Sequence, residues 1–149
     1  MGIEEAVNYR RISDAVATSG CVAVEQLETL KTEDFEAVVN LLPDASASSV
    51  PDERAIVEQQ GVEYHYLPVD FGNPTAKDFS DFVQILDDLG DRKVLIHCAA
   101  NYRVSAFYSL YAMKRLDWPK ENAEALVGSL WNPAERPPWK EFMERIQGG

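Results

Sequence analysis

Positive charge is scarce in this chain. Its 149 residues hold 14 lysines and arginines against 25 aspartates and glutamates, a formal net charge of −11. A surface of that sign repels phosphate backbones and anionic headgroups, so nucleic acid and membrane are excluded as expected partners. Cysteine is nearly absent: Cys21 and Cys98 are too few for a disulfide framework, and a reducing, cytoplasmic setting is expected. No apolar run approaches the roughly 18 residues of a membrane span. The opening Met-Gly-Ile-Glu-Glu-Ala has neither the basic start nor the apolar stretch of a secretory leader. The two histidines, His65 and His97, lack clustered cysteine or carboxylate partners, so no metal is expected and no cofactor is implied. What is present suffices for a core. With 46% hydrophobic residues, including 3 Trp, 6 Tyr and 6 Phe, residues 1–149 fit one domain.

Strand-like and helix-like stretches alternate, which predicts an α/β layer fold. A short helix over 3–9 and a strand from Arg11 to Ala17 come first, followed by the break Thr18-Ser19-Gly20. Val24 to Leu30 reads as a helix with Val24, Leu27 and Leu30 on one side. Phe35 to Leu42 is nearly all apolar, as a strand covered on both faces should be. A Pro-, Ser- and Asp-rich loop leads to a short helix, Asp52 to Gln60, closed by Gly61. Val62 to Val69 is the next strand and Asp70 to Pro74 its loop. Thr75 and Asp78 then form a capping box. Behind it, Phe79, Phe82, Val83, Leu86 and Leu89 make one buried helix face that ends at Gly90. Lys93 to His97 is a short apolar strand, Val104 to Met113 a helix buried on most sides, and 122–130 and 138–146 two further helices.

The segment from His97 to Ser105 carries the chemistry. A buried strand delivers Cys98 into a short loop that opens directly into a helix. That geometry leaves free backbone N–H groups around whatever sits above the cysteine, and the helix N-terminus adds about half a positive charge. Such a nest is an anion site before any side chain is counted. Arg103 adds a planar fork for two oxygens of a phosphate or sulfur oxyanion. The same field favours the thiolate of Cys98, its nucleophilic form. The loop contains no glycine, so Asn101 is the residue expected to take a positive φ. His97 is expected to hydrogen-bond within the loop and hold its shape. Tyr102 either lines the pocket mouth or simply packs, and Trp118, Trp131 and Trp139 are expected in core or edge packing.

His97-Cys98-x-x-Asn101-x-Arg103 resembles the signature loop of the cysteine-dependent phosphatases, the dual-specificity and tyrosine phosphatase group. More closely, the chain resembles bacterial phosphatase-like domains that occur alone or beside NAD kinases and β-lactamase-like hydrolases. The matching pieces, between about Tyr9 and Phe142, are Thr18-Ser19-Gly20, Val39-Asn40-Leu41-Leu42-Pro43, Gly61-x-x-Tyr64, Leu67-Pro68-Val69-Asp70 and the cysteine loop. The resemblance implies a cysteine-dependent phosphatase-like fold with a central, mostly parallel sheet of four or five strands flanked by helices. It implies metal-independent hydrolysis of a phosphorylated substrate, a phosphoprotein or small aryl phosphate, through a thiol-phosphate intermediate. Cys98 would attack phosphorus while Arg103 binds the equatorial oxygens. The amides of Ala99, Ala100, Asn101, Tyr102, Arg103 and Val104 would hold the phosphate, with His97 and Ser105 supporting the loop. Asp70 matches the general acid that protonates the leaving oxygen, worth roughly 10²–10⁴ in rate. Capping the turn Asp70-Phe71-Gly72-Asn73-Pro74 is the other use of that residue. Some relatives place the acid where Phe71 stands.

The chain departs from the family in two places. Four residues, Ala99 to Tyr102, separate cysteine from arginine where tyrosine phosphatases have five. Val104 replaces the usual Ser or Thr after the arginine, and Ser105, one place later, would have to supply that hydroxyl to the departing cysteine. Single-domain rhodaneses also carry Cys-x4-Arg between strand and helix. In that reading Cys98 bears a persulfide and no general acid is needed. A third reading is a non-catalytic module holding an oxyanion or phosphorylated partner in the same nest. Asp70 in its matched loop, with His97 before the cysteine, favours the phosphatase.

Overall fold

The computed structural model describes residues 2–148. Five short strands form one sheet in the order β1-β2-β5-β3-β4. They are β1 (Arg10–Arg11), β2 (Val16–Ser19), β3 (Ala37–Asn40), β4 (Glu63–Tyr66) and β5 (Val94–His97). β1 runs antiparallel to β2, and the other pairings are parallel, with Ser19 and Asn40 both in register with His97. The expected mixed architecture with a mostly parallel central sheet is therefore the one observed.

Helices cover both faces, because alternate strand residues point to opposite sides. Val94 and Ile96 of β5 and Ala37 and Val39 of β3 pack with α3 (Ala76–Leu89), α4 (Tyr102–Arg115) and α6 (Pro137–Gly148). Leu95 and Val38 pack on the other side with Leu27, Val57 and Val62, beneath α1 (Val24–Leu27) and α2 (Glu53–Glu58). α5 (Lys120–Gly128) lies against α4. Because β5 is buried on both faces, all four of its residues are inaccessible. α4 is buried from Val104 through Ala112, as its apolar sequence requires. Among the described residues no helix is long and apolar enough to cross a membrane.

Several boundaries differ from expectation for identifiable reasons. The helix expected at 3–9 is a single 3₁₀ turn, Ile3–Glu5. The strand expected from Arg11 to Ala17 is two strands, folded back at a turn where the Ser13 hydroxyl accepts from the amides of Ala15 and Val16. α1 is one turn long, since Thr29 and Leu30 bond back to Gln26 and Leu27, three residues away, rather than continuing the α ladder. Val24, expected on the buried side, is 39% exposed. α3 follows the sequence closely: Thr75 Oγ1 accepts from the Asp78 amide at 3.0 Å, Asp78 Oδ2 accepts from the Thr75 amide at 3.1 Å, and Gly90 closes the helix at φ 60°.

Candidate active site

Cys98 follows the last residue of β5 at the carboxyl end of the sheet, where open α/β sheets place ligands. It is fully buried and packs with Val94 and Ile96. Its amide donates to Ser19 O at 3.2 Å, one step beyond the β2–β5 ladder. The chain then turns through Ala99, Ala100 and Asn101 and enters α4 at Tyr102. Asn101 has φ 66°, as the absence of glycine demanded. Its buried side chain donates through Nδ2 to Asn8 O at 2.9 Å and to Thr18 Oγ1 at 3.1 Å. Asn8 reciprocates, its Nδ2 donating to Ala100 O at 2.9 Å, while the Cys21 amide donates to Ala99 O at 2.8 Å. Carbonyls of the loop are thus drawn towards the N-terminal segment and the stretch after β2. Among the described residues, the amides of Ala99, Ala100, Asn101, Tyr102, Arg103 and Val104 donate to no protein acceptor. Six consecutive free N–H groups at the head of a 14-residue helix form a concave donor surface.

Arg103 is bound to the loop that follows β4. Its Nε donates to Val69 O at 2.9 Å, and its guanidinium lies 5.1 Å from the centroid of the Phe71 ring. The remaining guanidinium nitrogens have no partner among the described residues. Asp70, between those two contacts, is exposed. Its Oδ1 accepts from the Gly72 amide at 2.9 Å and its carbonyl from the Asn73 amide at 3.0 Å, so it does cap its turn. The cysteine loop and the Asp70 loop are therefore joined through Arg103.

Two supporting residues behave differently from expectation. The His97 ring does not bond within the loop. It lies on the face opposite Cys98, with Leu95, where Nε2 meets Glu53 Oε2 of α2 at 2.6 Å. Both residues are buried, and His97 Nδ1 has no partner. The Ser105 hydroxyl donates to Tyr102 O and accepts from Trp131 Nε1, each at 3.1 Å, and makes no bond to Cys98. Val104 is fully buried.

Sequence reasoning missed the aromatic group that carries the Asp70 loop. Phe71 packs against Tyr102, Trp131 and Trp139 at centroid distances of 6.4, 5.9 and 5.6 Å. Trp139 Nε1 donates to Phe71 O at 2.7 Å. Tyr102 stacks on Trp131 at 4.8 Å with rings nearly parallel, so it both packs and borders the loop. Gly20 was visible as punctuation and within a matching piece, but not as a close approach: a Cβ there would stand 2.5 Å from Ala99 O and 2.8 Å from the Ala100 Cα. Glu53 and Asn8 had no local signal at all, because their partners are 44 and 92 residues away. A cavity of about 480 Å³ lies elsewhere, between α4, α5 and α6, and touches this region through Trp131.

No protein-family model and no curated protein matches the chain. Solved structures do. Two of a protein described as "Putative phosphatase (DUF442)" from Shewanella putrefaciens superpose with TM-scores of 0.90 and 0.89 at 31% and 33% identity. Each covers 98% of this chain, and 92% and 95% of the respective partner is covered in turn. Tk-PTP in its active form superposes with a TM-score of 0.76 at 25% identity, covering 94% of this chain and 96% of its own. TpbA from P. aeruginosa, at 20% identity and a TM-score of 0.74 over 95% of this chain and 88% of its own, shares the fold. The likeness runs over nearly the whole of both chains and includes the sheet that delivers the cysteine loop to α4, and on that ground the chain belongs to the tyrosine and dual-specificity phosphatase-like family of cysteine phosphatases.

Proposed function

We propose that the protein is a metal-independent phosphomonoesterase acting on aryl or protein phosphates, with Cys98 as nucleophile. The observation that carries this reading is the run of six unpartnered amides, Ala99 to Val104, directly after a cysteine at the carboxyl end of a central strand. Donors fixed in that arrangement stabilise charge on the equatorial oxygens of a transferring phosphoryl group without reorganising during reaction. The free edge of the Arg103 guanidinium supplies a further two-pronged donor, already oriented through Val69 O. In the first half-reaction the Cys98 sulfur bonds to phosphorus, the ester P–O bond breaks, and Asp70 gives its proton to the leaving oxygen. In the second, water attacks phosphorus, Asp70 takes up the water proton, and the S–P bond breaks to release phosphate and thiolate. Phosphorylated protein or small aryl phosphate is the partner this chemistry takes.

A second reading, a module that binds an oxyanion with little turnover, is favoured by one observation. The Ser105 hydroxyl, the one expected to help the cysteine depart, is committed to Tyr102 O and Trp131.

Hydrolysis of aryl phosphates across pH 5–8 separates the two. The wild type is expected to turn over with an optimum on the acid side, and Cys98→Ser to lose activity. Asp70→Asn should lose about 10²-fold or more on a poor leaving group and about tenfold or less on an activated one. Equal losses on both would remove Asp70 from the acid role. Binding without turnover by reduced wild-type protein would establish the second reading.

A further inference from the structure

Resting on the reading of the Cys98 loop as a phosphate site, we propose that Arg136 is a second anion-recognising residue of that site. The substrate is then a phosphomonoester with another anionic group, a carboxylate or second phosphate, close to the first. The key juxtaposition is at Phe71. Arg103 Cζ lies 5.1 Å and Arg136 Cζ 5.9 Å from the centroid of that one ring. Both arms meet at the same point, so the two guanidinium carbons are no more than about 11 Å apart.

Among the described residues six of the 14 lysines and arginines, Arg11, Arg54, Lys77, Arg92, Arg115 and Lys140, have a carboxylate partner. Neither Arg103 nor Arg136 has one among the described residues. Among the described residues the Arg136 side chain makes no hydrogen bond. Among the described residues, no other ring lies within reach of two cations.

The backbone beneath Arg136 is fixed. It ends the 3₁₀ turn Pro133–Glu135, its amide donates to Pro133 O at 2.9 Å, and its carbonyl accepts from Trp139 and Lys140 at 2.9 and 3.0 Å. Trp139 in turn holds Phe71 O. Two like charges held over one ring repel each other, and a ring face returns only a weak attraction to an exposed cation. An anion bridging towards both relieves that repulsion. On this proposal a ligand whose phosphate occupies the amide nest beside Arg103 turns its second charge towards Arg136.

Phenyl phosphate and 4-carboxyphenyl phosphate, which adds a carboxylate across the ring, test this. Wild type should prefer the carboxylated compound by about fivefold in kcat/KM, mainly through KM. Arg136→Gln should reduce the ratio to about twofold or less, Arg136→Lys should restore part of it, and roughly 0.5 M salt should erase it. The same two compounds, titrated calorimetrically into Cys98→Ser with and without Arg136→Gln, read the preference without turnover. If the wild type hydrolyses neither compound but Cys98→Ser keeps an Arg136-dependent preference, the second-anion site stands and the phosphatase reading falls. A wild-type-like preference in Arg136→Gln, or no preference in either measurement, overturns the inference.

Discussion

Gly20 shows how much of the site rests on single atoms. The Ala99 carbonyl and the Ala100 Cα lie where its side chain would begin, and both are backbone, so nothing can rotate away. Gly20→Ala is expected to push the cysteine loop outward at a cost of about 1–3 kcal/mol, lowering the thermal midpoint by roughly 3–10 °C. An unchanged midpoint in calorimetry would mean that the close approach is absent. At this scale the site was partly legible. Cys98, Arg103 and the left-handed Asn101 stand within six residues of one another, and the need for a positive φ in a glycine-free loop pointed to Asn101 directly. The partners that hold the loop were not legible. Glu53 meets His97 across 44 residues and Asn8 meets Ala100 across 92, and nothing in either local sequence marks such a contact. His97 was misread for a related reason: the two-residue period of β5 turns its ring away from the cysteine that follows it.

At the scale of elements, legibility followed the strength of the local pattern. α3 carries a capping box, a five-residue apolar face and a terminal glycine, and all three appear as read. α1 carries a plausible period with no cap or stop, and the chain there closes into tight turns instead. The loop after β4 is the instructive case. Its composition announced a turn, and Asp70 does cap one. What composition could not announce is that Phe71 locks the loop to α4 and α6 through three aromatic neighbours and the Trp139 indole. Val69 O, held in place by this packing, is the acceptor that orients Arg103. The candidate acid and the candidate phosphate ligand are therefore positioned by one shared piece of backbone.

For the whole molecule, the sheet order places β5, the last strand in the chain, between β2 and β3. The cysteine loop is thereby braced on both sides, by Ser19–Cys21 and by Asn40–Leu41. The crossovers in that order are not written in local periodicity, and the resemblance to phosphatase-like chains pointed only to a mostly parallel sheet of four or five strands. Three buried phenols, Tyr64, Tyr108 and Tyr111, give the folded state a distinctive response to alkali. Burial pushes Tyr108 up to about 12, with Tyr111 acting in the same direction. Burial also raises Tyr64, against a hydrogen bond from Asn40. In the unfolded chain such phenols ionise near 10. The folded state thus keeps protons that the unfolded state gives up, and this stability is complete below about pH 10 and lost as pH rises through the folded values. Tyr108→Phe should leave the neutral-pH thermal midpoint within a few degrees and lessen the fall between about pH 10 and 12 by roughly 1–3 kcal/mol. A fall of the same size in the variant would contradict this.

The central claim is that Cys98 forms a covalent bond to phosphorus. The most direct measurement is acid quenching of the reduced protein during turnover of an activated aryl phosphate, followed by peptide mass analysis. A phosphoryl adduct on the peptide containing Cys98, absent from Cys98→Ser, is the expected result. Continued release of phosphate with no adduct on that peptide, or with the adduct on another residue, would contradict the account.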